Sequence, residues 1–71
     1  MDFKDLKIDI YNEIQEYCFE NDININSDNF EKLMENFTSQ SIINFEKENN
    51  TELMFWYEIT DNDIEIFIEH V

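Results

Sequence analysis

Six carboxylates recur at helical spacing early in this chain: Asp2, Asp5, Asp9, Glu13, Glu16 and Glu20. At roughly 100° per residue they fall within an arc of about 80°, a stripe about 27 Å long at 1.5 Å rise per residue. Carboxylates in a row can transfer protons, hold a cation, or offer negative charge to a basic surface. Proton transfer needs a concave apolar pocket around the acids, and a chain of 71 residues has little core to spare for one. The single histidine, His70, stands beside Glu69 and offers no triad or dyad. Cys18 lies among apolar residues and reads as an inert, partly buried thiol. With no glycine there is no phosphate-cradling loop. The expectation is a protein without catalytic residues or cofactor.

Cation binding fares no better. Asp61-x-Asp63-x-Glu65 copies the first ligand positions of an EF-hand loop, and Asn24-x-Asn26-x-Asp28 does so loosely with Glu35 further on. Both lack the glycine that the sharp turn of such a loop requires. No cysteine and histidine cluster can hold zinc, so no metal is expected.

The third role fits the charge. The net charge is −14, with 11 Ile and 10 Asn against only 4 Lys. Codon drift that enriches Ile and Asn enriches Lys as well, so basic residues have been kept out. Such a charge repels nucleic acid and anionic lipid and attracts basic proteins from a distance. Neighbouring acids on the stripe cost a few tenths of a kcal/mol each, and Lys4 and Lys7 lie off it. The plain alternative is a solvated helix face; reversing Asp9, Glu13 and Glu16 to Lys is expected to weaken the steering of a basic partner without unfolding the domain. The functional reading is a row of charge that imitates a nucleic-acid backbone, whose phosphates are comparably dense.

These residues need elements to hold them. Without Gly or Pro, the turns fall to Asn and Asp, at Asn21-Asp22, Asn49-Asn50 and Thr60-Asp61-Asn62-Asp63. Phe3, Leu6, Ile10, Ile14 and Tyr17 predict an amphipathic helix over 2–21. Asp28 with Glu31 resembles a capping box, and Phe30, Leu33, Met34 and Phe37 predict a second helix over 28–38. The period then changes to two, predicting strands over 41–47, 51–59 and 64–70. Closing the last loop pairs Ile59 with Ile64, Tyr57 with Ile66 and Phe55 with Ile68. Closing the earlier one pairs Phe45 with Leu53 and Ile43 with Phe55. Both hairpins turn the same side of the middle strand inward. The expected fold is α+β, two N-terminal helices on a three-stranded antiparallel meander, with an all-α bundle as the alternative.

That register makes a second candidate surface. Ile42, Trp56 and Phe67 line up on the outer sheet face beside Met54, among Glu58, Glu65 and Glu69, with Glu46 opposite Glu52. Opposed glutamates destabilise a sheet, and an aromatic anchor ringed by charge is how a binding hot spot is built. The alternative is that Trp56 and Phe67 only brace the hairpin. The candidate partner-binding residues are therefore the helix stripe together with Met54, Trp56, Glu58, Glu65 and Phe67.

In size, charge and α+β build the chain resembles the small acidic inhibitors that phages and mobile elements direct against host nucleic-acid enzymes. Among these are anti-CRISPR proteins, DNA-mimic anti-restriction proteins and uracil-DNA glycosylase inhibitors. The resemblance implies a non-enzymatic inhibitor bound to a basic protein, such as a Cas effector, at a site that normally receives DNA or RNA. It implies no direct contact with nucleic acid. An immunity protein or antitoxin against a basic toxin follows the same physics, and a regulatory module with acidity for solubility is a further reading. The acidic start, Met1 to Asp5, lacks the features of a signal peptide, and Leu53 to Tyr57 is too short an apolar run to span a membrane. The expected location is the cytoplasm of a bacterial host.

Overall fold

Leu6, Ile10, Ile14 and Cys18 recur every four residues, so a helix places them on one side. In the computed structural model, which describes residues 3–71, they are the buried face of α1 (Lys4–Glu20). The helix ends where Asp22 takes φ 54° and Ile23 N–H bonds Cys18 O while Asp22 N–H bonds Phe19 O. This is a Schellman stop with aspartate in the place glycine usually takes. Asp2 lies outside the described residues.

The second helix is much shorter than expected. α2 (Phe30–Met34) is a turn and a half anchored by Phe30, which is 2% exposed, and by Met34. The Asp28–Glu31 box does not form. Asn29 already stands in the helical region at the N-cap position, its N–H is held by Ser27 Oγ at 3.2 Å, and Phe30 N–H bonds Ser27 O. The turn has thus begun before Asp28 could cap it.

Residues 41–47 correct the largest expectation. They belong to a third helix, α3 (Gln40–Asn49), not to a strand. Ser39 caps it by accepting from Ile42 N–H at 3.2 Å, Gln40 Nε2 donates to Asn44 Oδ1 one turn on, and Asn50 ends it in the left-handed region at φ 49°. Ile42 enters the core and Phe45 sets its ring edge-on to Phe3 at 5.8 Å. An Ile, Ile, Phe run fits either period, and the capping of Ser39 selects the helix.

The remaining strands, β1 (Leu53–Thr60) and β2 (Asp63–His70), form a two-stranded antiparallel sheet, so the pairing of Phe45 with Leu53 and Ile43 with Phe55 does not occur. The last hairpin has the expected register, with Ile59 opposite Ile64, Tyr57 opposite Ile66 and Phe55 opposite Ile68. Asp61 and Asn62, at φ 46° and 71°, make the two-residue turn whose positive angles match the twist of the strands. All non-glycine positive φ angles among the described residues, at Asp22, Asn50, Asp61 and Asn62, fall in the Asn/Asp clusters expected to turn the chain. The inward face, Ile64, Ile66 and Ile68 with Leu53, Phe55 and Tyr57 beside them, closes over α1, Phe30, Met34 and Ile42. The architecture is α+β, three helices against one face of a hairpin, and the all-helical alternative is excluded. No helix among the described residues is long and apolar enough to cross a membrane.

Candidate functional site

The outer sheet face holds the alternate residues of both strands. Trp56 stands opposite Phe67, and their rings stack at 5.5 Å with an interplanar angle of 12°. Met54, opposite Glu69, extends this row and is 49% exposed, while Trp56 is 38% exposed. All three helices lie on the other face, so nothing within the described residues covers the row. Glu58 stands opposite Glu65, a like-charged pair that costs the hairpin stability. Residues 51–71 carry six carboxylates and no lysine or arginine. The structure thus brings together Met54, Trp56, Glu58, Glu65, Phe67 and Glu69 as anticipated. It removes Ile42, which is buried in α3, and it removes the pairing of Glu46 with Glu52. Glu46 instead accepts from Leu53 N–H at 2.9 Å, tying α3 to the start of β1.

The helix stripe is not the open row its spacing suggested. Asp5, Asp9, Glu16 and Glu20 are exposed, but Glu13 is half-buried in the middle. Its carboxylate accepts from Ser39 Oγ at 2.6 Å, Ser41 N–H at 2.9 Å and Ser41 Oγ at 2.9 Å. Together with the Ser39 cap, Glu13 satisfies the Ser41 and Ile42 amides in the first turn of α3 and meets the positive end of its dipole. The N-terminus of α3 therefore sits across the stripe and divides it. On one side Glu13, Glu16 and Glu20 line a cleft of about 370 Å³ with Tyr17, Phe37 and Gln40. On the other, Asp5 and Asp9 line one of about 360 Å³ with Asn44, Phe45 and Glu48. The assumption that Glu13 tolerates reversal is corrected: a lysine there would set a cation against the helix N-terminus.

Other polar groups hold the frame. Tyr11 donates its hydroxyl to Asp63 Oδ1 at 2.8 Å, joining α1 to the hairpin end, and Asp63 Oδ1 also accepts from Ile64 N–H. The Tyr11 hydrogen bond, with that amide, holds the Asp63 carboxyl below its ordinary value; the same bond, with burial and the carboxylate charge, raises the Tyr11 phenol. Asp63 is so engaged, Asn24 Oδ1 accepts from Asn26 N–H, and no group of His, Cys, Asp or Glu among the described residues is arranged to hold a metal. Cys18 is a free, buried cysteine, and burial raises its thiol above the ordinary value. His70 pairs with Leu53 at the strand end, its Nδ1 3.2 Å from Thr51 Oγ1 and its ring against Phe3.

One feature escaped the sequence reading. Burial raises the Tyr57 phenol, and the charges of Glu31 and Glu35 raise it further, so α2 gives the inner side of β1 an acidic border. The signal was present as a Glu31–Glu35 pair one helical turn apart, but only the fold places it beside β1. Comparison with protein-family models, curated proteins and solved structures finds no match for this chain.

Proposed function

We propose that this protein is a non-enzymatic inhibitor that binds a basic, nucleic-acid-binding surface of a host defence protein or nuclease, in the manner of anti-CRISPR and DNA-mimic proteins. The observation that carries the reading is the uncovered Met54–Trp56–Phe67 row on a hairpin whose charged side chains are all acidic apart from His70. An apolar strip left open on so small a domain marks a contact surface. Carboxylates around it select a basic partner and speed its approach, while the stacked aromatics resist its escape. The opposed Glu58 and Glu65 support the same view, because they lower stability and only a cationic partner relieves them. The divided helix stripe adds to the long-range field rather than supplying a continuous phosphate mimic.

The test is capture from bacterial lysate on the immobilised protein, wild type beside Trp56→Ala. The expected partner binds DNA or RNA, is released as salt rises, and loses its nucleic acid when this protein is added. Trp56→Ala should weaken the complex by about 2 kcal/mol, roughly 30-fold. A partner that keeps its nucleic acid fully bound, or an association rate that is flat in salt, would refute the proposal.

A further inference from the structure

The hairpin leaves one main-chain edge open. Val71 N–H bonds Glu52 O, so in the antiparallel ladder residues 54, 56, 58 and 60 also face β2 with their amides and carbonyls. Leu53, Phe55, Tyr57 and Ile59 must face away. The Leu53 N–H does so, and Glu46 caps it. Among the described residues no hydrogen bond occupies the outward main chain of Phe55, Tyr57 or Ile59. On the matching edge of β2, α1 packs beside the strand and Ile64, Ile66 and Ile68 are only 6–7% exposed, with a cleft of about 330 Å³ between helix and strand that Lys7 borders with a cation, unfavourable to a basic occupant. Ile59, by contrast, is 39% exposed. The β1 edge carries neither proline, lysine nor bulge, and its one charged side chain is Glu58.

Below this edge Ile25, Phe30 and Ile59 line a cleft of about 480 Å³ together with the polar Asn26, Ser27, Asp28 and Glu31. Above it stand Trp56 and Glu58. A strand added here would point alternate side chains into the cleft beside Ile59 and Phe30, and out toward a carboxylate and an indole face, the latter a good site for a cation. Resting on the reading above that the partner is basic, we propose that an extended segment of the partner, alternating lysine or arginine with apolar residues, adds to β1 as a third strand. A second copy of this chain is disfavoured as the occupant, because pairing two chains of charge −14 sets Glu58 and its neighbours against themselves.

The probe is an end-capped eight-residue peptide alternating lysine and valine. Its comparators are the same peptide N-methylated on the valines, which blocks one hydrogen-bonding edge, and one with glutamate for lysine. Amide hydrogen exchange of the full chain is followed by NMR. The lysine peptide should slow exchange at Phe55, Tyr57 and Ile59 at least 10-fold, and the methylated peptide should not. Ile59→Pro, which removes an outward N–H without touching the β1–β2 ladder, should abolish that protection at Phe55 and Tyr57, and Ile59→Ala should keep it. Equal binding of the methylated and plain lysine peptides would overturn strand addition and leave the charge-based function standing. Equal binding of the lysine and glutamate peptides would overturn that function as well. Failure of the lysine peptide to bind, or protection at these amides that grows with protein concentration in the absence of peptide, would overturn the inference.

Discussion

Glu13→Ala should cost far more stability than its place in a row of acids suggests. The substitution removes an acceptor of three hydrogen bonds, from Ser39 Oγ, Ser41 N–H and Ser41 Oγ, and leaves Ser39, which is 3% exposed, with a buried hydroxyl. Hydrogen bonds to a charged group contribute about 1.5–3 kcal/mol each when well shielded. This carboxylate is half-buried and water can replace it in part, so a net loss of about 2–3 kcal/mol is expected. A 71-residue domain holds roughly 4–11 kcal/mol in all, at 0.05–0.15 per residue. The loss is therefore a large share. Urea unfolding followed by circular dichroism, with a slope near 1 kcal/mol per molar, should show the midpoint fall by about 2–3 M. Glu16→Ala, an exposed neighbour on the stripe, should stay within about 0.5 kcal/mol of wild type. A Glu13→Ala,Ser39→Ala double variant should lose less than the sum of the single changes, because the two share one network. Equal effects of Glu13→Ala and Glu16→Ala would refute the reasoning and return Glu13 to the solvated face. For the same reason, charge reversal aimed at association rate belongs at Asp9, Glu16 and Glu20.

Phe30→Ala should cost about 3–5 kcal/mol, since Phe30 is 2% exposed, whereas Trp56→Ala should lose only the roughly 0.5–1.5 kcal/mol of an exposed stack. Chemical denaturation of the two variants checks this, and equal losses would make Trp56 a core residue. Tyr11→Phe removes the main cause of the lowered Asp63 pKa. A carboxyl lowered on folding adds stability above its unfolded value, about pH 4, which is lost as pH falls through the folded value. The raised Tyr11 phenol likewise adds stability below its unfolded value, which is lost as pH rises through its folded value. Wild type should therefore melt above Tyr11→Phe by a constant margin from pH 5 to 9 that narrows toward pH 2.5. A margin unchanged at pH 2.5 would refute the coupling.

Local pattern accounts for much of this protein. The four-residue recurrence of Leu6, Ile10, Ile14 and Cys18 puts them on one helix face and so marks α1 from residue order alone. The period-two runs, joined by Asp61 and Asn62, set both strands of the hairpin and their register, because a two-residue turn leaves only one pairing. That register in turn places Trp56 and Phe67 together on the outer face, so this part of the candidate surface was legible from residue order alone. α3 was not. Ile42, Ile43 and Phe45 suit a strand or a helix, and the carboxylate that helps select the helix is Glu13, 28 residues from Ser41. The same contact spends a charge that spacing alone counted as free, and so divides the acidic stripe. With α3 withdrawn from the sheet, the β1 edge lies open beside Glu31 and Glu35. Residue order sufficed for α1 and the hairpin, whose apolar periods fit one kind of element and whose turns carry Asn or Asp. Which charges stay in solvent, and which strand edge has no main-chain partner among the described residues, depend on contacts between segments far apart along the chain.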